Sequence, residues 1–183
     1  MHFRNLKFFC YIDKFDNNII SKLSNNTSVI YRNYNIKNNL DTIISIKNAC
    51  KKRGLKFYLS NDVRLAIELN LDGAYVPSFN KKQIFNAYNF KKEFKLLGSA
   101  HNLKEIKEKE RQNVDYIFLS PLFSTKKNKN CLGLYKFLNL MKKTKKKIIC
   151  LGGINKKNFN QIKNINPYGI ASISLFQNKR FVV

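Results

Sequence analysis

The chain has 183 residues, 44% of them hydrophobic and 13% aromatic, which is enough for one domain with a sizeable core, and no apolar run nears the roughly 18 residues of a membrane span. Its formal net charge is +24, but lysine outnumbers arginine 29 to 6 alongside 26 asparagines, a bias that tracks AT-rich codons. With the lysines dispersed along the chain, nucleic acid is not the expected partner, and the positive field suits small phosphorylated molecules instead.

Eight short apolar segments read as strands: Lys7–Ile12, Ser28–Arg32, Lys56–Leu59, Gly73–Val76, Lys95–Leu97, Tyr116–Leu119, Ile148–Leu151 and Gly169–Ile173. Most lack the alternation of a half-solvated strand, as expected of strands covered on both faces. Segments of 3.6-residue periodicity fall between them. Leu40–Arg53 gathers Ile43, Ile44, Ile46 and Ala49 on one side and stops at Gly54. Asp62–Asn70, Asn102–Asn113 and Leu134–Lys143 form comparable units; Asn17–Leu23 is short and Asn155–Asn164 weaker. Alternating strands and helices imply a parallel sheet with right-handed crossovers. Eight repeats favour a compact (β/α)8 TIM barrel of class α/β. The chain is short for such a barrel, so the first and last helical segments are expected to be meagre, and residues 1–183 are read as one barrel domain.

The cysteines Cys10, Cys50, Cys131 and Cys150 form no CxxC pair, and only two histidines are present, which argues against a zinc site. The start, MHFRNLKFFCYID, carries no small-residue cleavage pattern, so a reduced, cytoplasmic protein is expected.

In a parallel barrel the residues just past the strand C-termini converge at one mouth. That layer holds Arg32, Asn61, Asp62, Asn80, Ser99, His101, Ser120 to Lys127, Gly152, Gly153, and Ser172 to Ser174. It is rich in cations and hydroxyls and poor in acids, which suits phosphate or diphosphate with one metal ion on Asp62. Gly152-Gly153, ending the run KIICL, lets backbone amides approach an anion. The Asn61-Asp62 pair equally suits an N-cap for the following helix.

Six segments in register, LSND (59–62), LDGAYV (71–76), LGSAHN (97–102), VDYIFLSPLFSTK (114–126), LGGIN (151–155) and GIASIS (169–174), resemble the thiamine-phosphate synthase/TenI family over residues 28–176. The resemblance implies a barrel that joins hydroxymethylpyrimidine diphosphate to thiazole phosphate, releasing diphosphate with Mg2+. It implies diphosphate contacts for Arg32 and Asn61, and Asp62 as a Mg2+ ligand. It places Ser99 near the pyrimidine and diphosphate, with Lys126 or Lys127 as the diphosphate-binding lysine. Thr125, Gly152, Gly153 and the backbone of 172–174, including Ser172 and Ser174, would hold the thiazole phosphate.

The chain also departs from the family pattern. The motif QxRxK reads Ile30, Arg32 and Tyr34, so its glutamine and lysine are absent. Asn80 stands where the second Mg2+-binding aspartate is expected, and a neutral amide weakens a hard-cation site. In the tautomerase branch the catalytic histidine falls where Pro121 stands. Two functions follow: a synthase-like transferase with an eroded diphosphate site, or a non-catalytic, regulatory binder of a thiazole or thiamine phosphate.

Overall fold

A computed structural model describes residues 6–34, 39–125, 129–162 and 164–172. Strands β1 (Lys7–Ile12), β2 (Thr27–Tyr31), β3 (Phe57–Ser60), β4 (Gly73–Val76), β5 (Lys95–Ala100), β6 (Tyr116–Leu119), β7 (Lys147–Leu151) and β8 (Gly169–Ser172) pair in chain order, all parallel. β8 returns to β1, with Lys7 opposite Gly169 and Cys10 opposite Ser172, and closes the barrel. The helices between them are α1 (Asn17–Ser21), α2 (Leu40–Lys52), α3 (Val63–Glu68), α4 (Leu103–Arg111), α5 (Gly133–Met141) and α6 (Phe159–Ile162).

Every residue of β2, β3, β4 and β8 is buried, because one pleat face fills the barrel and the other meets the helices. Phe9, Tyr11, Ile30, Tyr58, Tyr75, Leu97, Phe118, Ile149 and Ala171 form one apolar cluster. Their strand neighbours, among them Phe8, Val29, Leu59 and Ala74, join helix residues such as Ile43, Ile46, Ala66, Ile106 and Phe137 in a second. The first cluster is the barrel interior, and it is strongly aromatic. Phe118 meets Phe9 at 4.9 Å and Tyr75 at 5.4 Å between ring centroids, both edge to face, the arrangement the ring quadrupoles favour.

Local chemistry sets the helix ends. Asp16, Asn39, Asp62 and Asn102 each cap a helix, accepting backbone N–H bonds with the side chain. Gly54, Asn70 and Asn113 follow α2, α3 and α4 with positive φ, so asparagine twice takes the left-handed position that glycine usually fills.

Two findings refine the expected outline. Between β4 and β5 the described chain has no α-helix, only a 3₁₀ turn at Ile84–Ala87, in keeping with the lack of helical periodicity there. β5 runs on to Ala100 rather than stopping at Leu97, which places Ser99 inside the strand. The first helix is short, as expected; residues 173–183, where the last helical segment and Ser174 fall, lie outside the described residues, as do Lys126 and Lys127. Cys10, Cys50 and Cys150 are buried and Cys131 is exposed, all four as free thiols. Among the described residues no helix is long and apolar enough to cross a membrane.

Candidate active site

Because all eight strands are parallel, their C-terminal ends share one mouth, and the topology brings Arg32, Asn61, Asp62, Asn80, Ser99, Thr125, Gly152, Gly153 and Ser172 to that end.

The loops after β6 and β7 are joined to each other. Leu122 N donates to Leu151 O at 2.9 Å, and Phe123 N to Gly152 O at 3.1 Å. Gly152 and Gly153 have φ of 97° and 68°. A Cβ on Gly152 would come within 2.7 Å of Pro121 Cα, and one on Gly153 within 2.4 Å of Phe123 O and 2.5 Å of Ser124 O. Glycine is required twice over, by conformation and by contact with the loop that carries half-buried Thr125. The Gly153 carbonyl is held by Asn158 Nδ2 at 2.8 Å and Asn155 Nδ2 at 3.2 Å. Buried Ser172 bonds Ile154 O at 3.5 Å, tying β8 to the same turn.

Arg32 lies on the opposite side of the mouth. Its guanidinium sits 4.7 Å from the centroid of the Tyr11 ring, a cation–π contact that orients it. Together with Tyr11, Ile12, Asp13 and Lys14 it lines a cavity of about 380 Å³. The buried Tyr11 hydroxyl lies near the Tyr75 hydroxyl but makes no hydrogen bond of good geometry among the described residues. Such a group is costly unless something bonds it, and it marks a polar position inside the barrel. Burial raises the phenols of Tyr11 and Tyr75 above their ordinary values, so both are neutral hydroxyls at physiological pH.

After β3, Asn61 takes a positive φ of 63° and its Oδ1 accepts from Asn80 Nδ2 at 2.8 Å. The Asn80 Oδ1 in turn accepts from Lys82 N at 3.0 Å. Asp62 caps α3, Oδ1 accepting from Leu65 N at 3.0 Å; the capping role is thus present. Among the described residues no three His, Cys, Asp or Glu side chains gather to hold a metal ion. A single carboxylate, Asp62, fits a Mg2+ that brings most of its ligands as waters and phosphate oxygens, not an all-protein cage.

Ser99 is 4% exposed. It lies two residues beyond Leu97 on the strand face that fills the barrel, so its hydroxyl belongs to the interior rather than to the rim. His101 Nδ1 meets Ser120 O at 2.8 Å and Ser120 Oγ at 3.2 Å, bracing the loops after β5 and β6.

Sequence reasoning singled out Tyr34 only as a departure, and overlooked Tyr11, Tyr75 and Phe79. The Tyr34 hydroxyl bonds Ser60 Oγ at 3.0 Å, and its ring meets Phe79 at 5.4 Å. Alternation along β1 and β4 would have put Tyr11 and Tyr75 inside the barrel; the Tyr34–Phe79 pair joins two loops and has no sequence signal.

A closed, parallel eight-stranded sheet with helices between its strands places the chain among the (β/α)8 barrels as a class. The family model described as thiamine monophosphate synthase (TMP-TENI) matches residues 18–176. The chain belongs to that family. It is 30% identical over 148 residues to thiamine-phosphate synthase of Prochlorococcus marinus subsp. pastoris, covering 79% of this chain and 41% of the relative. It is also 30% identical over 142 residues to thiamine-phosphate synthase 1 of Streptococcus pneumoniae, covering 74% and 66%. The chain therefore spans less than two thirds of the length of these relatives. Among solved structures, thiamine phosphate pyrophosphorylase from Pyrococcus furiosus superposes with a TM-score of 0.77 at 22% identity, covering 97% of this chain and 91% of that one. That likeness bears on the fold.

Proposed function

We propose that this chain is a thiamine-phosphate synthase-type transferase that joins hydroxymethylpyrimidine diphosphate to thiazole phosphate and releases diphosphate. The observation that carries the reading is the joined glycine turn and loop after β7 and β6, facing Arg32 and Asn61 across one mouth. Family membership supplies the substrate class.

In this reading the Gly152-Gly153 turn, Ser172 and Thr125 bind the thiazole phosphate, and Arg32 and Asn61 bind the diphosphate; Ser174, Lys126 and Lys127 are assigned with them from the family pattern alone. The pyrimidine enters the aromatic interior, beside Ser99 and the buried hydroxyls of Tyr11 and Tyr75. Departure of diphosphate leaves positive charge on the pyrimidine's exocyclic carbon. The interior cluster offers ring faces and neutral phenols that stabilise a delocalised cation. The Arg32 guanidinium complements the negative charge that develops on the leaving group. Positioning then sets the rate, since the thiazole nitrogen must meet the cation before water does. Asp62 would hold Mg2+, which neutralises charge on the departing diphosphate when bound. The neutral Asn80 beside it makes that ion depend on the diphosphate's own oxygens. A cytoplasmic location and a single-domain organisation are part of the same proposal.

The test is thiamine phosphate formation from the two substrates over a Mg2+ titration, with calorimetry of each substrate alone. Turnover abolished by Arg32→Ala supports the reading. Binding of thiazole phosphate with no turnover at any Mg2+ concentration replaces it with the non-catalytic one.

A further inference from the structure

We propose that Lys109 and Gln112, at the end of α4, are positioning residues that clamp the loop after β4 and so hold Asn80 against Asn61 at the mouth. A lysine in a helix as charged as LKEIKEKER is ordinarily solvated, yet Lys109, three residues after buried Ile106, is 0% exposed, as is Gln112. Gly98 on β5 makes the room: a Cβ there would come within 2.8 Å of Lys109 Cδ.

The network is complete. Lys109 Nζ donates to Pro77 O and Asn80 O, each at 2.8 Å, and to Gln112 Oε1 at 2.7 Å. Gln112 Nε2 donates to Asn80 O and to Lys82 O, each at 2.9 Å. All three ammonium protons and both amide protons are therefore used. Three carbonyls within the six residues 77–82 are held from below. The same loop presents the Asn80 amide to Asn61 and the Phe79 ring to Tyr34.

The need for such a clamp follows from the topology. A βα loop is ordinarily fixed by the helix that follows it, but here β4 is followed by only a 3₁₀ turn. The anchor is borrowed from the next unit. Core packing alone gives no reason for an ammonium here, since an apolar side chain of similar volume stabilises a buried site as well or better. What the ammonium adds is three directed bonds that set the loop's position.

The kinetic arm of the test rests on the synthase reading. Lys109→Met should raise KM for pyrimidine diphosphate about tenfold or more and leave KM for thiazole phosphate within about twofold. Gln112→Glu keeps size and the Lys109 contact but loses both donations to the loop, so it should do the same more mildly, and it covers the case in which Lys109→Met fails to fold. Hydrogen exchange read by mass spectrometry is the arm independent of activity. Residues 77–87 should exchange about tenfold faster in either variant while β5 keeps its protection. Equal effects on both KM values, or unchanged exchange over 77–87, overturns the clamp. A wild type that binds neither substrate overturns the functional reading, and the exchange result still decides the clamp.

Discussion

Replacing Gly153 by alanine tests the join between the loops after β6 and β7, and Gly54 provides its control. Both residues have nearly the same φ, 68° and 64°. A Cβ on Gly54 meets nothing within 4 Å, whereas one on Gly153 meets two backbone carbonyls at 2.4 and 2.5 Å. Left-handed backbone costs a non-glycine residue about 1–2 kcal/mol, which is the whole effect expected of Gly54→Ala. At Gly153 the loop must also retreat by about 1 Å, an overpacking cost of about 1–3 kcal/mol. Gly153→Ala should therefore destabilise by about 2–5 kcal/mol in all, and for a domain of this size each kcal/mol lowers Tm by about 2–4 °C. Urea and thermal melts of both variants give the difference directly. Retreat of the loop also carries Thr125 away from the turn, so thiazole phosphate affinity measured by calorimetry should fall about tenfold, while the Gly54 variant binds as the wild type does. Equal destabilisation by the two substitutions would show that the loops are not in contact. Unchanged affinity in a folded Gly153 variant would place the phosphate elsewhere.

Three further outcomes follow from particular groups. Asn80→Asp should lower the Mg2+ concentration giving half-maximal rate, and Asp62→Asn should abolish turnover without unfolding α3, because asparagine caps as well as aspartate does; full activity in the second variant refutes the metal assignment. Tyr34→Lys should tighten pyrimidine diphosphate binding several-fold in a salt-sensitive way, and an unchanged Kd at low salt would remove Tyr34 from the site. Stability should fall as pH rises above about 9: burial lifts the thiols of Cys10 and Cys50 to about 12 and raises that of Cys150 as well, so the folded state keeps protons that the unfolded chain releases, at about 1.4 kcal/mol per pH unit for each thiol. Lys109, brought down to about 8 by burial, acts with opposite sign between 8 and its usual 10.5, as does the lowered phenol of Tyr168, while the raised phenols of Tyr58 and Tyr116 add to the thiols at higher pH. Urea midpoints that stay level from pH 8 to pH 10.5 would contradict this.

The barrel was legible because strands buried on both faces must be apolar runs, and TSVIY, FYLS, GAYV and YIFL have no other reading at that spacing. The chain between β4 and β5 was not singled out as an exception to the alternation, although residues 77–94 carry no repeating apolar side and form only a 3₁₀ turn. What escaped was tertiary. Ser99 looked like a loop residue because small residues end its segment, whereas β5 continues through it. The charged run of α4 concealed the one lysine that faces inward, since the glycine that admits it lies on another strand. The Asn61–Asn80 bond joins residues whose proximity only the closed barrel establishes.

The distribution of thiols makes the mouth observable. Cys131 alone among the four cysteines is exposed, and it directly precedes Leu132 and Gly133, whose amides bond Pro121 O at 2.9 Å and Leu122 O at 3.1 Å. A maleimide fluorophore on the untouched wild-type chain would therefore attach at one place, beside the loop that carries Thr125. Its emission would register ligand arrival on the phosphate side in real time, with no engineered cysteine and no need for the reaction to proceed.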